Sequence, residues 1–157
     1  MNIKILSIGK TDDKALITLI DGYIKRLKHY IKIEFKSIPD IKNRKNIQIS
    51  QQKVLEGDLI IKNIQSSDVV VLLDEKGQDY SSIEFSKYIS KKMLAGTKQL
   101  VFVIGGPYGF SENIYKRANH KISLSKMTFS HQMVRLFVVE QLYRAFTILK
   151  NEPYHHE

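Results

Sequence analysis

Two unbroken apolar runs constrain this chain more than any other feature: DVVVLLD at Asp68–Asp74 and QLVFVIGG at Gln99–Gly106. A strand wetted on one face alternates apolar and polar residues. These runs do not alternate, so both of their faces must be covered. Between them lies a stretch of helical length, with Ser81 or Ser82 placed as an N-cap and Ala95-Gly96 as its stop. Strand, helix, strand is the unit of a parallel sheet with helices packed on it. The pattern continues toward both ends. Ile3–Gly9 reads as a strand, Leu16, Ile17, Ile20, Ile24 and Leu27 recur at helical spacing, and Ile31–Ile38 alternates until Pro39-Asp40 stops it. DIKNRKNIQIS reads as a loop, followed by a helix over about Gln52–Ile64 with Val54, Leu55, Leu59 and Ile60 inward. EKGQDYSS reads as a turn, SENIYKRAN as a short helix capped by Ser111, KISLS as a short strand, and Ser130 to about Lys150 as a long helix. The expectation is an α/β protein, a mainly parallel sheet flanked by helices, in one domain over residues 1–157.

No apolar run approaches the ~20 residues of a membrane span, and the opening MNIKILSIGK is too short in apolar residues for a signal peptide. The chain has no cysteine, which excludes disulfides and thiolate metal sites, so no metal is expected. A cytoplasmic protein is the natural reading. The net charge of +9 favours a polyanionic partner, most often nucleic acid. That charge is uneven. Both flanks are positive, whereas residues 67–106 balance to zero.

Ligands of open parallel sheets bind beyond the carboxyl ends of the strands. Three loops qualify: LLDEKG, VIGGPYG and SLSKMTF. The second is the most telling, because a buried strand runs straight into Gly105, Gly106 and Gly109. Their spacing is not the G-x-G-x-x-G of a dinucleotide fold, and no G-K-[ST] tripeptide occurs as in a P-loop. An adenosine ligand that needs no phosphate neutralisation suits the charge-neutral segment, and S-adenosylmethionine, a sulfonium without phosphates, is such a ligand. A structural turn is the plain alternative. The last helix, MVRLFVVEQLYRAFTIL, is apolar around most of its circumference and needs cover on two sides, which points to a homodimer packed on it.

A strand ending in IGGPYG, then SLSKMTFSHQMVRLFVVEQLYRA and a terminal PYH, resembles the ribosomal large-subunit methyltransferase H family of the SPOUT superfamily. The likeness spans essentially the whole chain, including IKILSIGK and LLDEKG. It implies a C-terminal trefoil knot, with knot and cofactor site within about residues 70–157. It implies S-adenosylmethionine as cofactor, held by Leu73, by Gly105 and by Leu124, Ser125, Lys126, Met127, Thr128 and Phe129. It also implies methylation of N3 of a pseudouridine in the helix 69 loop of large-subunit rRNA, on the assembled ribosome, with the tail residues Tyr154, His155 and His156 at the substrate. His156 stands where that family more usually has Lys or Arg. A non-catalytic RNA- or ribosome-binding dimer on the same fold is the alternative, and a nucleotide-dependent oxidoreductase is disfavoured by the glycine spacing.

The acceptor would be a weakly acidic imide N–H, which must lose its proton or have its anion stabilised. His131 and Arg135 are four residues apart and share a helix face. His131 can take the proton or make a helix-start hydrogen bond. Arg135 can stabilise an oxyanion or phosphate, or form an ion pair. Glu140 and Arg144 have the same spacing and read as a buried or interfacial ion pair. His29 and His120 read as surface residues. Candidate RNA contacts are Lys25, Arg26 and Lys28, then Lys42, Arg44 and Lys45, then Lys116, Arg117 and Lys126. The tail EPYHHE reads as mobile.

Overall fold

A computed structural model describes residues 1–41 and 47–156. Five strands alternate with five helices: β1 (Asn2–Ile8), α1 (Lys14–Leu27), β2 (Ile33–Ile38), α2 (Ile49–Ile61), β3 (Val69–Asp79), α3 (Ser82–Leu94), β4 (Gln99–Ile104), α4 (Glu112–Arg117), β5 (His120–Ser123) and α5 (His131–Leu149). The strands form one parallel sheet in the order β2-β1-β4-β3-β5. The two runs that opened the sequence reading, β3 and β4, are its second and third strands from one edge. Val69–Leu73 of β3 and Leu100–Ile104 of β4 are apolar throughout because successive residues feed opposite faces. Leu100, Phe102 and Ile104 meet α1, α3 and α5 through Ile20, Ile89, Val138 and Leu142. Val101 and Val103 meet α2 and α4 through Ile60 and Ile114. Among the described residues, no helix is long and apolar enough to cross a membrane.

The start of α3 follows its sequence signal. Ser81 Oγ accepts the N–H of Glu84, and the Glu84 carboxylate accepts the N–H of Ser81 in return. Those hydrogen bonds hold the Glu84 carboxyl below the usual carboxylate range. Replacing Ser81 by Ala is expected to cost about 1 kcal/mol, read as a lower urea midpoint at unchanged slope.

Three expectations change. EKGQD is not a turn: β3 stays extended to Asp79, and after an irregularity between Leu73 and Gln78 it pairs with β5 again. Polarity marked this stretch as a turn, but the neighbouring strand supplies the ladder. In α2, Val54 and Leu55 are 48% and 37% exposed, while Gln52, Glu56, Gly57 and Ile60 are buried. The inward face carries polar groups because it lies under the glycine turn, where Gln52 donates to Glu56 Oε1 at 2.8 Å. Finally, the tail folds back. Tyr154 shares a hydrogen bond with Tyr23 at 3.1 Å, donates to Glu140 at 3.2 Å and packs edge-on against Tyr143, while Tyr30 hydrogen-bonds Glu152.

Candidate functional site

The irregular middle of β3 and the carboxyl ends of β4 and β5 open into one cavity of about 580 Å³, within the roughly 300–1,000 Å³ usual for small-molecule sites. Each wall follows from its sequence. At β4, Ile104 runs into Gly105-Gly106-Pro107-Tyr108-Gly109, a tight turn closed by the Gly109 N–H on the Gly106 carbonyl at 3.1 Å. Gly109 has φ of +76°, which a side chain would oppose. A Cβ at Gly106 would lie 2.6 Å from Glu56 Oε2. The bareness of this turn thus answers both to the cavity above and to a buried carboxylate below.

The second wall is Leu73 to Lys76, where β3 leaves its register with β5. Tyr115 of α4 donates to Asp74 Oδ2 at 2.5 Å. Burial, helped by that carboxylate, pushes the Tyr115 phenol up to about 12, so it stays a donor at neutral pH. The third wall is the connection from β5 to α5. Ser123 Oγ donates to the Ser125 carbonyl at 2.9 Å, and Ser125 Oγ accepts the N–H of Met127 at 2.9 Å. Phe129 leans on Phe137 with ring centroids 4.9 Å apart. Ser130 caps α5 by accepting the N–H of Met133, which sets His131 at the first turn with its side chain in the cavity wall.

Of the eight residues expected around a cofactor, Leu73, Gly105, Leu124, Ser125, Met127, Thr128 and Phe129 line this cavity, and Lys126 does not. His131 lines it as well. Arg135 does not. Its side chain is fully buried, donating to the Ile8 carbonyl at 2.8 Å and to Thr11 Oγ1 at 2.9 Å, so it ties α5 to the β1–α1 connection. Burial pulls its pKa below the ordinary arginine value, opposed by Asp12 and Asp40. The sequence placed His131 and Arg135 together at one reaction centre; here His131 lines the cavity, while the guanidinium turns to the Ile8 carbonyl and Thr11, which the spacing rule cannot see.

Tyr154, His155 and His156 are not among the cavity-lining residues of this chain. Tyr154 is held as described, His155 Nδ1 lies 3.3 Å from Arg144, and His156 is exposed. Glu140 and Arg144 form the expected ion pair at 2.6 Å, largely shielded from water. His120 has more company than expected, 2.6 Å from Lys92 and edge-on to Tyr88, although it is exposed. Among the basic groups, Arg117 braces the α2–β3 connection through the Gln65 and Asp68 carbonyls, Lys116 pairs with Glu112, and Arg26 lies over Tyr23 and Tyr143. Lys42, Arg44 and Lys45 lie outside the described residues. The sequence reading missed Lys53, Asp74, Glu75, Lys76, Tyr108, Tyr115 and Val134 in the cavity wall. For Tyr108 and the acidic pair the signal was present, since both sit inside the two loops already singled out.

A family model described as "Predicted SPOUT methyltransferase" matches residues 1–155. A protein of Christiangramia forsetii named "Ribosomal RNA large subunit methyltransferase H" is 67% identical over 99% of both chains. Proteins of the same name from Flavobacterium johnsoniae and Parabacteroides distasonis are 64% and 59% identical over the full length of both.

Proposed function

This chain belongs to the SPOUT methyltransferases and, within them, to the ribosomal RNA large subunit methyltransferase H family, and on that premise we propose that it methylates N3 of a pseudouridine in the helix 69 loop of large-subunit rRNA, on the assembled ribosome in the cytoplasm, as a homodimer with a trefoil-knotted C-terminal half. The observation that carries this reading is the convergence of the bulge in β3, the loops that follow β4 and β5, and His131 on one cavity.

The cavity offers the bare turn at Gly105-Gly106, the apolar side chains of Leu73, Ile104, Ile122 and Leu124, and two charges of each sign, with Asp74 and Glu75 set against Lys53 and Lys76. That balance suits an adenosine ligand without phosphates, with the carboxylates free to face a sulfonium and the lysines left for an anionic substrate. When bound, S-adenosylmethionine supplies an electrophilic methyl group on sulfonium sulfur. Main chain at Gly105 and from Leu124 to Phe129 would hold its adenosine part, and Asp74 and Glu75 would face its positive groups. The protein's share of an in-line displacement is proximity and orientation. The acceptor nitrogen gives up its proton as the N–C bond forms, and a ring nitrogen of His131 receives it. Arg135 acts one turn behind, as a positioning residue that fixes the start of α5 and hence His131.

Support for the dimer is the outer side of α5, where Met133, Phe137 and Gln141 are half-buried by this chain alone. A second protomer would also bring its tail, Tyr154 to His156, to a cavity that this protomer's own tail does not line.

Titration calorimetry with S-adenosylmethionine, followed by incubation with labelled donor and ribosomes lacking the modification, tests the proposal. Binding and a single methyl mapped to a helix 69 pseudouridine are expected. His131→Ala should retain binding and lose roughly 10²–10⁴-fold in turnover. Donor binding without any transfer would leave a binding protein on this fold, and near-normal turnover of His131→Ala would remove the proton-acceptor role.

A further inference from the structure

The cavity wall carries four aromatic rings, and three of them are engaged by the protein itself. Phe110 is buried. Tyr115 packs edge-on against Phe110 at 5.9 Å, has Lys121 over its ring at 5.6 Å and donates its hydroxyl to Asp74. Phe129 leans on Phe137. Tyr108 differs from all three. It is 47% exposed, it lines the cavity, and among the described residues its side chain makes no hydrogen bond, ring contact or cation contact.

Its backbone is nevertheless stiff. Pro107 fixes φ on one side, Gly109 at φ +76° turns the chain on the other, and the Gly106–Gly109 bridge closes the four residues. A ring with two side-chain torsions on a rigid turn loses little entropy when something lies against it. Lys53 and Lys76 line the same cavity, and among the described residues neither ammonium has an ion-pair partner.

We infer that Tyr108 is the platform on which the target nucleobase stacks, with Lys53 and Lys76 taking the flanking phosphates. The inference rests on the methyl-transfer reading above and supplies what that reading lacks, a holder for the acceptor. A base must leave its stack before an enzyme can reach a ring nitrogen, and a flat ring at the cavity wall replaces part of the stacking given up. Stacking on an aromatic tolerates any base, so Tyr108 contributes grip, and the selection of the nucleotide falls to groups deeper in the cavity. The phosphate contacts fix register and should weaken with salt.

Two measurements test it, both on the full chain. In the first, a short single-stranded RNA carrying one 2-aminopurine is titrated at low salt. Wild-type protein and Tyr108→Phe should quench its fluorescence, and Tyr108→Ala should not. In the second, ribosomes lacking the modification are methylated with labelled donor. Tyr108→Ala should raise KM for the particle by roughly 10–100-fold with donor affinity unchanged, and Tyr108→Phe should restore most of the loss. Quenching by Tyr108→Ala equal to wild type, or a loss of donor affinity that accounts for the whole defect because the ring stacks on adenine instead, would overturn the inference. Quenching that depends on Tyr108 in a protein that methylates no ribosome would instead support the stacking platform and remove the methyl-transfer reading.

Discussion

Arg135→Ala is expected to remove about 3 kcal/mol or more of stability, a fall in melting temperature of roughly 6–12 °C for a chain of this size. The side chain is completely buried, and its two hydrogen bonds reach the Ile8 carbonyl at the end of β1 and Thr11 just beyond it. Truncation leaves a cavity under the first turns of α5 and removes hydrogen bonds to the Ile8 carbonyl and to Thr11, two costs that add. Arg135→Met separates them. It keeps most of the volume and spares the protein a buried charge, which is itself expensive to desolvate. It should therefore melt between wild type and Arg135→Ala while still failing to hold Ile8. Thermal unfolding of the three proteins, alongside donor titration, checks the assignment. A brace predicts that stability and activity fall together in Arg135→Ala. If that variant melts like wild type yet transfers no methyl group, Arg135 belongs at the reaction centre after all.

Arg135 also shows what kind of information a linear reading lacks. Spacing along a helix is local, and it correctly placed His131 and Arg135 on neighbouring turns. What the guanidinium meets is Ile8 and Thr11, more than 120 positions earlier, brought there only when α5 packs beside α1. The same logic separates the other successes and misses. The apolar runs of β3 and β4 were legible because burial on both faces is written in composition alone. The glycine turn and the SLSKMTF loop were legible as candidates because both follow buried strands of a parallel sheet, and only the family resemblance, not the glycines themselves, turned them into named cofactor contacts. Polarity misled wherever tertiary partners satisfied it. EKGQD looked like a turn until β5 paired with it, Gln52 and Glu56 looked outward-facing until they met each other under Gly106, and the tail looked mobile until Tyr154 reached Tyr23 and Glu140.

Gly77→Ala is the substitution expected to reach furthest into the site. Ile122 of β5 faces Leu73 before the irregularity in β3 and Gln78 after it, so residues 74–76 are pushed out of the ladder and into the cavity wall. Gly77 is where the chain returns. A methyl group there would lie 2.5 Å from the carbonyl carbon of Ile122, 2.6 Å from its nitrogen and 2.7 Å from the carbonyl carbon of Lys121. All three atoms are backbone, so no rotamer change relieves the overlap, and either β5 or the bulge must move. Overpacking of this kind costs about 1–3 kcal/mol, occasionally more, and contact with main chain puts Gly77→Ala at the top of that range. The displacement carries Leu73, Asp74 and Glu75 with it and shifts the loop that follows β5, so affinity for S-adenosylmethionine should fall at least about tenfold for each ~1.4 kcal/mol of binding lost. Gly22→Ala is the matched control. It lies within α1, nothing stands within 4 Å of its Cβ, and exchanging glycine for alanine inside a helix should stabilise by roughly 0.5–1 kcal/mol. Parallel melts and donor titrations of the two variants should therefore move in opposite directions in stability and diverge in affinity. If Gly77→Ala behaves like Gly22→Ala, β5 does not pack on Gly77 as closely as described, and the bulge in β3 does not set the shape of the cavity wall.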